Sequence, residues 1–397
     1  MRLLYIVQYF NFPDQTGSTR PYDLASSFVK QGIDVTILTS DESGEAKQKW
    51  TLIERDGLKV FRLNCPYDNK MSFIKRMSAF FKFFTHASVK LFSIDYDVLL
   101  ASSTPLSNGI PALISKSFRR KPYIFEVRDV WPGVPIAMGY FKNSVIQKFL
   151  YWLEKRIYNK AAVIVPLSTG MEENIYRRYP NNKTVVIPNI SELNRFSKVD
   201  KSVSIDFPQG KKVLLYAGTF GNVNGLSYVN KLAKETLSLD PDLWYYLIGK
   251  GKEKDDNIKE AEELGVLNKN VFYFDPVKKE DLPILYNNCT VGSSFVIDVA
   301  ALWDNSANKF FDTLAARKPI VINHKGWQAD TIKDKNIGYV LPPIVSHETA
   351  ERFVAYMNDE DLLREQGERA FSLAEQEYSL EVAVSKYLDV FKKAVQG

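Results

Sequence analysis

The sequence predicts an α/β protein made of two parallel-sheet domains, on three observations. Short runs rich in Val, Ile, Leu and Tyr recur along the chain. Most lack strict alternation, as expected of strands covered on both faces. Helical periodicity fills many of the intervals, and strand–helix alternation means parallel sheets with right-handed crossovers. The series also restarts: residues 191–210 show no apolar period, and a second series opens behind them. The reading is two Rossmann-like domains joined near residue 190, and 397 residues suffice for two cores.

The elements follow in order. Strands are expected at 3–7, 34–39, 59–63, 98–101, 123–127, 162–166 and 184–187. The first is a strand and not a secretory signal, because no small-residue cleavage site follows it. Helical patterns occupy 20–31 and 148–159. The second series has strands at 213–217, 243–248, 271–274, 290–295 and 319–322, with a helix at 223–237. A last helix, 380–395, has no strand after it and is expected to return to the first domain. The division is therefore 1–190, 191–379 and a C-terminal segment 380–397. Facing domains of this kind put their strand carboxyl ends, where ligands bind, across a cleft.

Composition narrows the function. Hydrophobic residues at 45% and charged residues at 25% exclude a disordered or fibrous chain. Cys65 and Cys289 stand too far apart to read as a zinc or redox pair. No uncharged stretch reaches the ~18–20 residues of a spanning helix, so a cytoplasmic protein is expected. A net charge of +5 suits contact with phosphate or anionic lipid and is too small to argue for nucleic acid. Neither the dinucleotide nor the P-loop glycine fingerprint occurs at a strand–helix junction. Gly249-Lys250-Gly251 lacks the third glycine, so no NAD or ATP cofactor is expected. No D-x-D pair lies at a strand end, and no metal is expected. His86, His324 and His347 are scattered; of these His324 follows a strand.

The segment with most chemistry is 304–322. Asp304 and Asp312 are separated by seven residues, and the second leads into a small-residue helix and a strand. A helix starting near Ser306 aims unpaired N–H groups and its positive end at the ligand edge, which suits a diphosphate. Asn308 and Lys309 lie in its first turn, and Lys309 adds a cation there. The Asp312 carboxylate can accept from both hydroxyls of a ribose, and Asp304 from those of a sugar. Alternatively, Asp304 is a solvated loop acid and Asp312 a helix-face acid.

This segment resembles the signature of the retaining family-four glycosyltransferases, which have the two-domain GT-B fold. Both acids are Asp where the family usually carries Glu. The stretches 126–132, 187–189 and 321–327 extend the resemblance to the branch containing bacterial fucosaminyltransferase-like enzymes of surface-polysaccharide (O-antigen or capsule) synthesis. The resemblance implies transfer of an N-acetylated amino or deoxyamino hexose from a UDP-sugar, with retention and without a metal. It implies a lipid-linked acceptor, an undecaprenyl-diphosphate saccharide at the inner leaflet, and a protein peripheral on the inner membrane. The first domain would face acceptor and membrane; the second would hold the nucleotide sugar. Asp304, Lys309, Arg128 and Asp129 would be catalytic, and the departing phosphate would take the acceptor proton. Donor contacts would come from Asp312, Asn308, Gly218, Thr219, Gly249, Gly251 and Val277, the last by its backbone on the base. Thr219 and Asn224 stand where the family usually carries cations, so Lys309 or an arginine from elsewhere must supply that charge. Gly17 and Arg20 would border phosphates and acceptor; alternatively Gly17 only makes a turn and Arg20 is solvated. A silent sugar-nucleotide-binding partner and a sugar-nucleotide epimerase are the other readings.

Residues 71–93 hold Lys75, Arg76, Lys82 and Lys90 and no acid. On a helix, Phe73, Met77, Phe80, Phe84 and Leu91 form a stripe. A basic aromatic helix of this kind fits a membrane interface through Lys75, Arg76, Lys82, Phe80 and Phe84. The alternative is a core helix with a solvated back.

Overall fold

A computed structural model of the chain describes residues 1–396 apart from 16, 46–47, 68–70, 181 and 198–204. The Phe73 side chain, counted in the stripe above, also lies outside the described residues, as does part of the polar stretch 191–210. The chain divides into two compact units. The first comprises Met1–Pro188, Asp304–Ser306 and Leu380–Gly397; the second comprises Asn189–Trp303 and Ala307–Ser379. The excursion at 304–306 is a correction to the continuous second domain read from the sequence.

The first unit holds β1 (Arg2–Ile6), β2 (Asp34–Asp41), β3 (Trp50–Arg55), β4 (Leu58–Asn64), β5 (Val98–Ser102), β6 (Tyr123–Val127) and β7 (Val163–Pro166). Their order is β3-β4-β2-β1-β5-β6-β7, parallel except for β3, which pairs antiparallel with β4. Without the edge strand β3 the order is the doubly wound 3-2-1-4-5-6, which reverses between β1 and β5. Strand β3 escaped the sequence reading because neither of its faces is buried, so it shows no apolar run. The expected strand at 184–187 is reduced to a single bridge between Thr184 and Ile164.

One face of this sheet, with Leu4, Ile6, Leu99, Ala101 and Phe125, is covered by the helices Phe73–Lys90, Gly109–Ile114 and Ser144–Lys160. Alternation sends Tyr5 and Glu126 to the opposite face. There the helix Arg20–Lys30 meets the returning C-terminal helix Leu380–Gln396, and the Phe28 ring lies 5.6 Å from Tyr387 and 5.1 Å from Phe391.

The second unit holds β8 (Lys212–Ala217), β9 (Leu243–Ile248), β10 (Val271–Phe274), β11 (Val291–Ser294), β12 (Ile320–Ile322) and β13 (Gly338–Val340). All are parallel in the order β10-β9-β8-β11-β12-β13, again 3-2-1-4-5-6, with the reversal between β8 and β11. Strand β13 is three residues long, too short for a periodic signal.

Candidate functional site

In an open parallel sheet, ligands bind beyond the strand carboxyl ends at the point where strand order reverses. In the second unit that point joins the loop after β8 to the helix Asn308–Ala315, the first helix after β11. The N-cap residue, Ala307, has no side chain to cap this helix, and a helix start of this kind can present first-turn N–H groups to a ligand. The helix starts two residues later than read, and Asp304 ahead of it is held instead by Ser168 and Asn174.

Lys309 lies half-buried in the first turn. Its ammonium sits 4.8 Å from the centre of the Tyr216 ring, and its chain runs along Gly218. A β-carbon on Gly218 would meet Lys309 Cε at 2.4 Å and Nζ at 3.0 Å. The glycine is therefore what lets the lysine occupy the reversal point. Burial lowers the Lys309 amine to about 8, opposed by the charge of Asp312. One turn on, Asp312 is raised to about 7, mainly by burial. Lys279, Glu192, Arg195 and Lys309 also act on Asp312. Glu192 forms ion pairs with both Lys279 and Arg195. The sequence reading missed these three residues; the run Glu192–Arg195 inside a polar stretch was the one signal available. Asn308 is exposed in the first turn, and Val277 is half-buried against the Tyr286 and Leu285 cluster.

The glycines of the two neighbouring loops serve a close approach of backbones. A β-carbon on Gly249, whose φ is +149°, would fall 1.8 Å from Gly218 O, and one on Gly251 would fall 2.2 Å from Phe220 O. Phe220 N donates to Lys250 O at 3.0 Å, so these loops form one interlocked ledge. Thr219 is exposed on it, and its carbonyl accepts from the Tyr216 hydroxyl at 2.6 Å.

In the first unit the reversal point lies between β1 and β5. Arg128 and Asp129 follow β6 nearby. Arg128 N donates to Ser103 Oγ at 2.9 Å, and Thr104 Oγ1 donates to Asp129 Oδ2 at 2.5 Å. The Arg128 guanidinium makes no hydrogen bond among the described residues. Gln8, just past β1, is fully buried, and its amide has no partner among the described residues. A buried orphan amide at this edge is a place for a polar ligand or water, and a lone Gln carries no sequence signal of that.

Arg20 corrects its expectation. It is neither solvated nor presented to a ligand but buried in an ion pair with Glu126, which also accepts from Ser102 Oγ and from Tyr387 Oη at 2.5 Å. Arginine beside it holds the Glu126 carboxyl below its usual range against the opposing effect of burial. This network ties the C-terminal helix to the sheet. Gly17 has φ +118°, and a β-carbon there would meet Asn11 Nδ2 at 2.6 Å, which is a turn requirement.

Asp304 packs on the start of the helix Thr169–Arg178. Its carbonyl accepts from Ser168 Oγ at 2.6 Å and its Oδ2 from Asn174 Nδ2 at 3.1 Å. Gly170 leaves space for it, since a β-carbon there would be 2.7 Å from Oδ1. Burial raises its carboxyl above the usual range, opposed by the Asn174 bond. The two acids of the motif are thus divided between the units. His324 is buried with Nδ1 2.8 Å from Lys325 O. Among the described residues no cluster of three His, Cys, Asp or Glu could hold a metal.

Residues 16–190 match the family described as Glycosyl transferase 4-like domain, and residues 198–372 match Glycosyl transferases group 1. The chain belongs to the family-four glycosyltransferases with the GT-B fold. Spore coat protein SA of Bacillus subtilis (strain 168) is 24% identical over 191 residues, which is 46% of this chain and 49% of that protein. The chain thus matches about half the length of this curated relative. WaaG, a glycosyltransferase involved in lipopolysaccharide biosynthesis, is 16% identical, with a TM-score of 0.68 over 98% of this chain and 99% of its own. HepE of Anabaena, solved in complex with UDP and glucose, is 14% identical, with a TM-score of 0.66 over 99% of both chains. These likenesses establish the fold. The glycosyltransferase's helix Phe73–Lys90 corrects the membrane stripe: Phe80 is buried, Phe84 is half-buried, and the Arg76 Nε is buried. The core face of this helix is the neighbouring set Ala79, Phe83, Ala87 and Leu91, and of the expected stripe Leu91 belongs to it while Phe80 stacks on Tyr67. Lys75 and Lys82 are exposed. Among the described residues no helix is long and apolar enough to cross a membrane.

Proposed function

We propose that this glycosyltransferase moves an amino or deoxyamino hexose from UDP to a lipid-linked saccharide, with retention at the anomeric carbon and without a metal. The observation that carries the reading is Lys309, a desolvated cation at a helix start where the strand order reverses. There it meets the negative charge that grows on the departing diphosphate, together with the first-turn N–H groups. Asp312 accepts from the ribose hydroxyls. Thr219, Gly249 and Gly251 form the ledge beside the phosphates, and the Val277 backbone meets the base. In the first unit Arg128 and Asp129 orient the acceptor hydroxyl, and Asp304 accepts from sugar hydroxyls. As the new glycosidic bond forms, the acceptor proton passes to the phosphate oxygen that leaves, so no protein base is needed. Two findings support the substrates: HepE was solved with UDP and glucose, and WaaG is involved in lipopolysaccharide biosynthesis. A surface-polysaccharide product is in keeping with the role of WaaG in lipopolysaccharide biosynthesis.

A thermal-shift comparison of UDP, GDP and ADP tests the donor. A ligand at 100 times its Kd adds about 2.7 kcal/mol, and UDP is expected to give the largest shift. Absence of a shift with every nucleoside diphosphate overturns the reading. UDP release on adding membrane extract separates transfer from silent binding.

A further inference from the structure

The helices Phe73–Lys90, Gly109–Ile114 and Ser144–Lys160 lie side by side over one face of the first unit's sheet. Their inner sides supply core residues such as Phe83, Ala112 and Ile157. A helix at a protein surface normally turns polar residues outward. Here the outward sides are apolar too. On Ser144–Lys160, Val145, Phe149 and Trp152 stand away from the buried Glu154 and Ile157, and Trp152 is 54% exposed. Phe149 stacks on Trp152 at 5.8 Å, with the Arg156 guanidinium 5.8 Å from the Trp152 ring centre. On Phe73–Lys90, Ile74, Phe81 and Val89 are exposed at spacings of seven and eight, so they share one side. Just beyond the middle helix, Phe118 is 76% exposed.

Charge decides what this face fits. Lys75, Lys82, Lys116, Lys148, Lys155 and Arg156 are all exposed beside it. Segments 71–93, 106–121 and 142–160 together contain one acid, Glu154. That acid is fully buried, bound by Arg178 at 2.5 and 2.9 Å. An apolar face ringed by cations, whose three helical segments carry no exposed acid among the described residues, is complementary to an anionic bilayer: rings and aliphatic chains enter the acyl boundary, and ammonium groups stay with the headgroups. A second copy laid on the same face would set cations against cations.

We infer that the outward face of this three-helix layer docks the enzyme on an anionic lipid surface, with Phe149 and Trp152 at one end and Phe81 at the other. The inference rests on the reading that the acceptor is lipid-linked, and on Phe73–Lys90 it moves the apolar contact from the side of buried Phe80 to that of Ile74, Phe81 and Val89.

The test uses full-length protein with phosphatidylcholine vesicles, with and without phosphatidylglycerol. Wild type should sediment with the anionic vesicles and be released by salt. K148E/K155E/R156E should lose on the order of 100-fold in partitioning, from about 1 kcal/mol for each basic residue near the surface. F149S/W152S should lose tenfold or more, since buried aromatic area is large. K75E/K82E gives an independent third variant on the other helix. All three change exposed side chains and should melt with wild type. Equal sedimentation of wild type and variants, or equal binding to neutral vesicles, overturns the inference. So does a wild-type dimer that F149S/W152S converts to monomer, which would assign the face to a second copy. UDP binding is measured in parallel and should be unchanged in the variants. If wild type binds vesicles but not UDP, the donor reading fails and the docking face stands.

Discussion

Replacing Lys309 by Met separates a ligand-binding cation from a structural one, because the two roles have opposite signs. The amine is lowered from its ordinary 10.5 to about 8, chiefly by burial, so keeping it charged at neutral pH costs the empty protein free energy. At 1.36 kcal/mol for each unit the cost is at most about 3 kcal/mol. Partial exposure reduces it. Methionine fills nearly the same space beside Tyr216 and Gly218 without a charge to desolvate. The lost counter-charge to Asp312 matters little, since that carboxyl is already raised to about 7 and can take up a proton. The empty Lys309→Met protein should therefore be as stable as wild type, or more stable by about 1 kcal/mol. UDP binding should move the other way. A charge-assisted hydrogen bond to a diphosphate is worth about 1.5–3 kcal/mol, so Kd should rise about 10- to 150-fold. Titration calorimetry with UDP and thermal melts of the empty protein read both quantities. A melt lowered by more than about 2 kcal/mol with unchanged UDP affinity would refute the reasoning. Lys309 would then be a structural ion-pair partner of Asp312.

Gly218→Ala should weaken UDP binding with little loss of stability, because the new methyl meets the flexible end of Lys309 at 2.4 Å and displaces its ammonium; calorimetry and melts check it. Gly249→Ala should instead lower the melting point sharply, since its methyl would meet the Gly218 carbonyl at 1.8 Å in a backbone of φ +149°. Arg20→Ala strands the buried Glu126 and should cost about 3–5 kcal/mol of first-unit stability, whereas Arg20→Met with Glu126→Leu should recover most of it in the same melts. UDP affinity should be greatest between about pH 7 and 8, falling below as Asp312 takes a proton and above as Lys309 loses one. The stability signs differ. The raised Asp312 favours the folded state at acid pH, and that contribution is lost as pH rises through about 7; the lowered Lys309 makes stability increase with pH from about 8 to 10.5. Urea melts across pH measure it.

The buried parallel strands were legible along the sequence because they are continuous apolar runs, whereas the exposed β3 and the three-residue β13 were not. The family resemblance also came from local stretches. Local pattern does not reveal which side of a helix meets the sheet when both sides are apolar. In Phe73–Lys90 the sets Phe80 and Phe84, Ala79, Phe83 and Ala87, and Ile74, Phe81 and Val89 all have helical spacing, and only packing in the first unit chose the second as core. Charge pairing is equally nonlocal. Arg20 and Glu126 are 106 residues apart, and Glu192 reaches Lys279 across 87, so no spacing rule could join them. The same holds for Asp304, eight residues before Asp312 in the chain yet held in the first unit by Ser168 and Asn174. Sequence determined which segments fold and what chemistry they carry. Tertiary structure decided which charges are already neutralised by a partner, as at Arg20, and which, as at Lys309, are desolvated at a helix start.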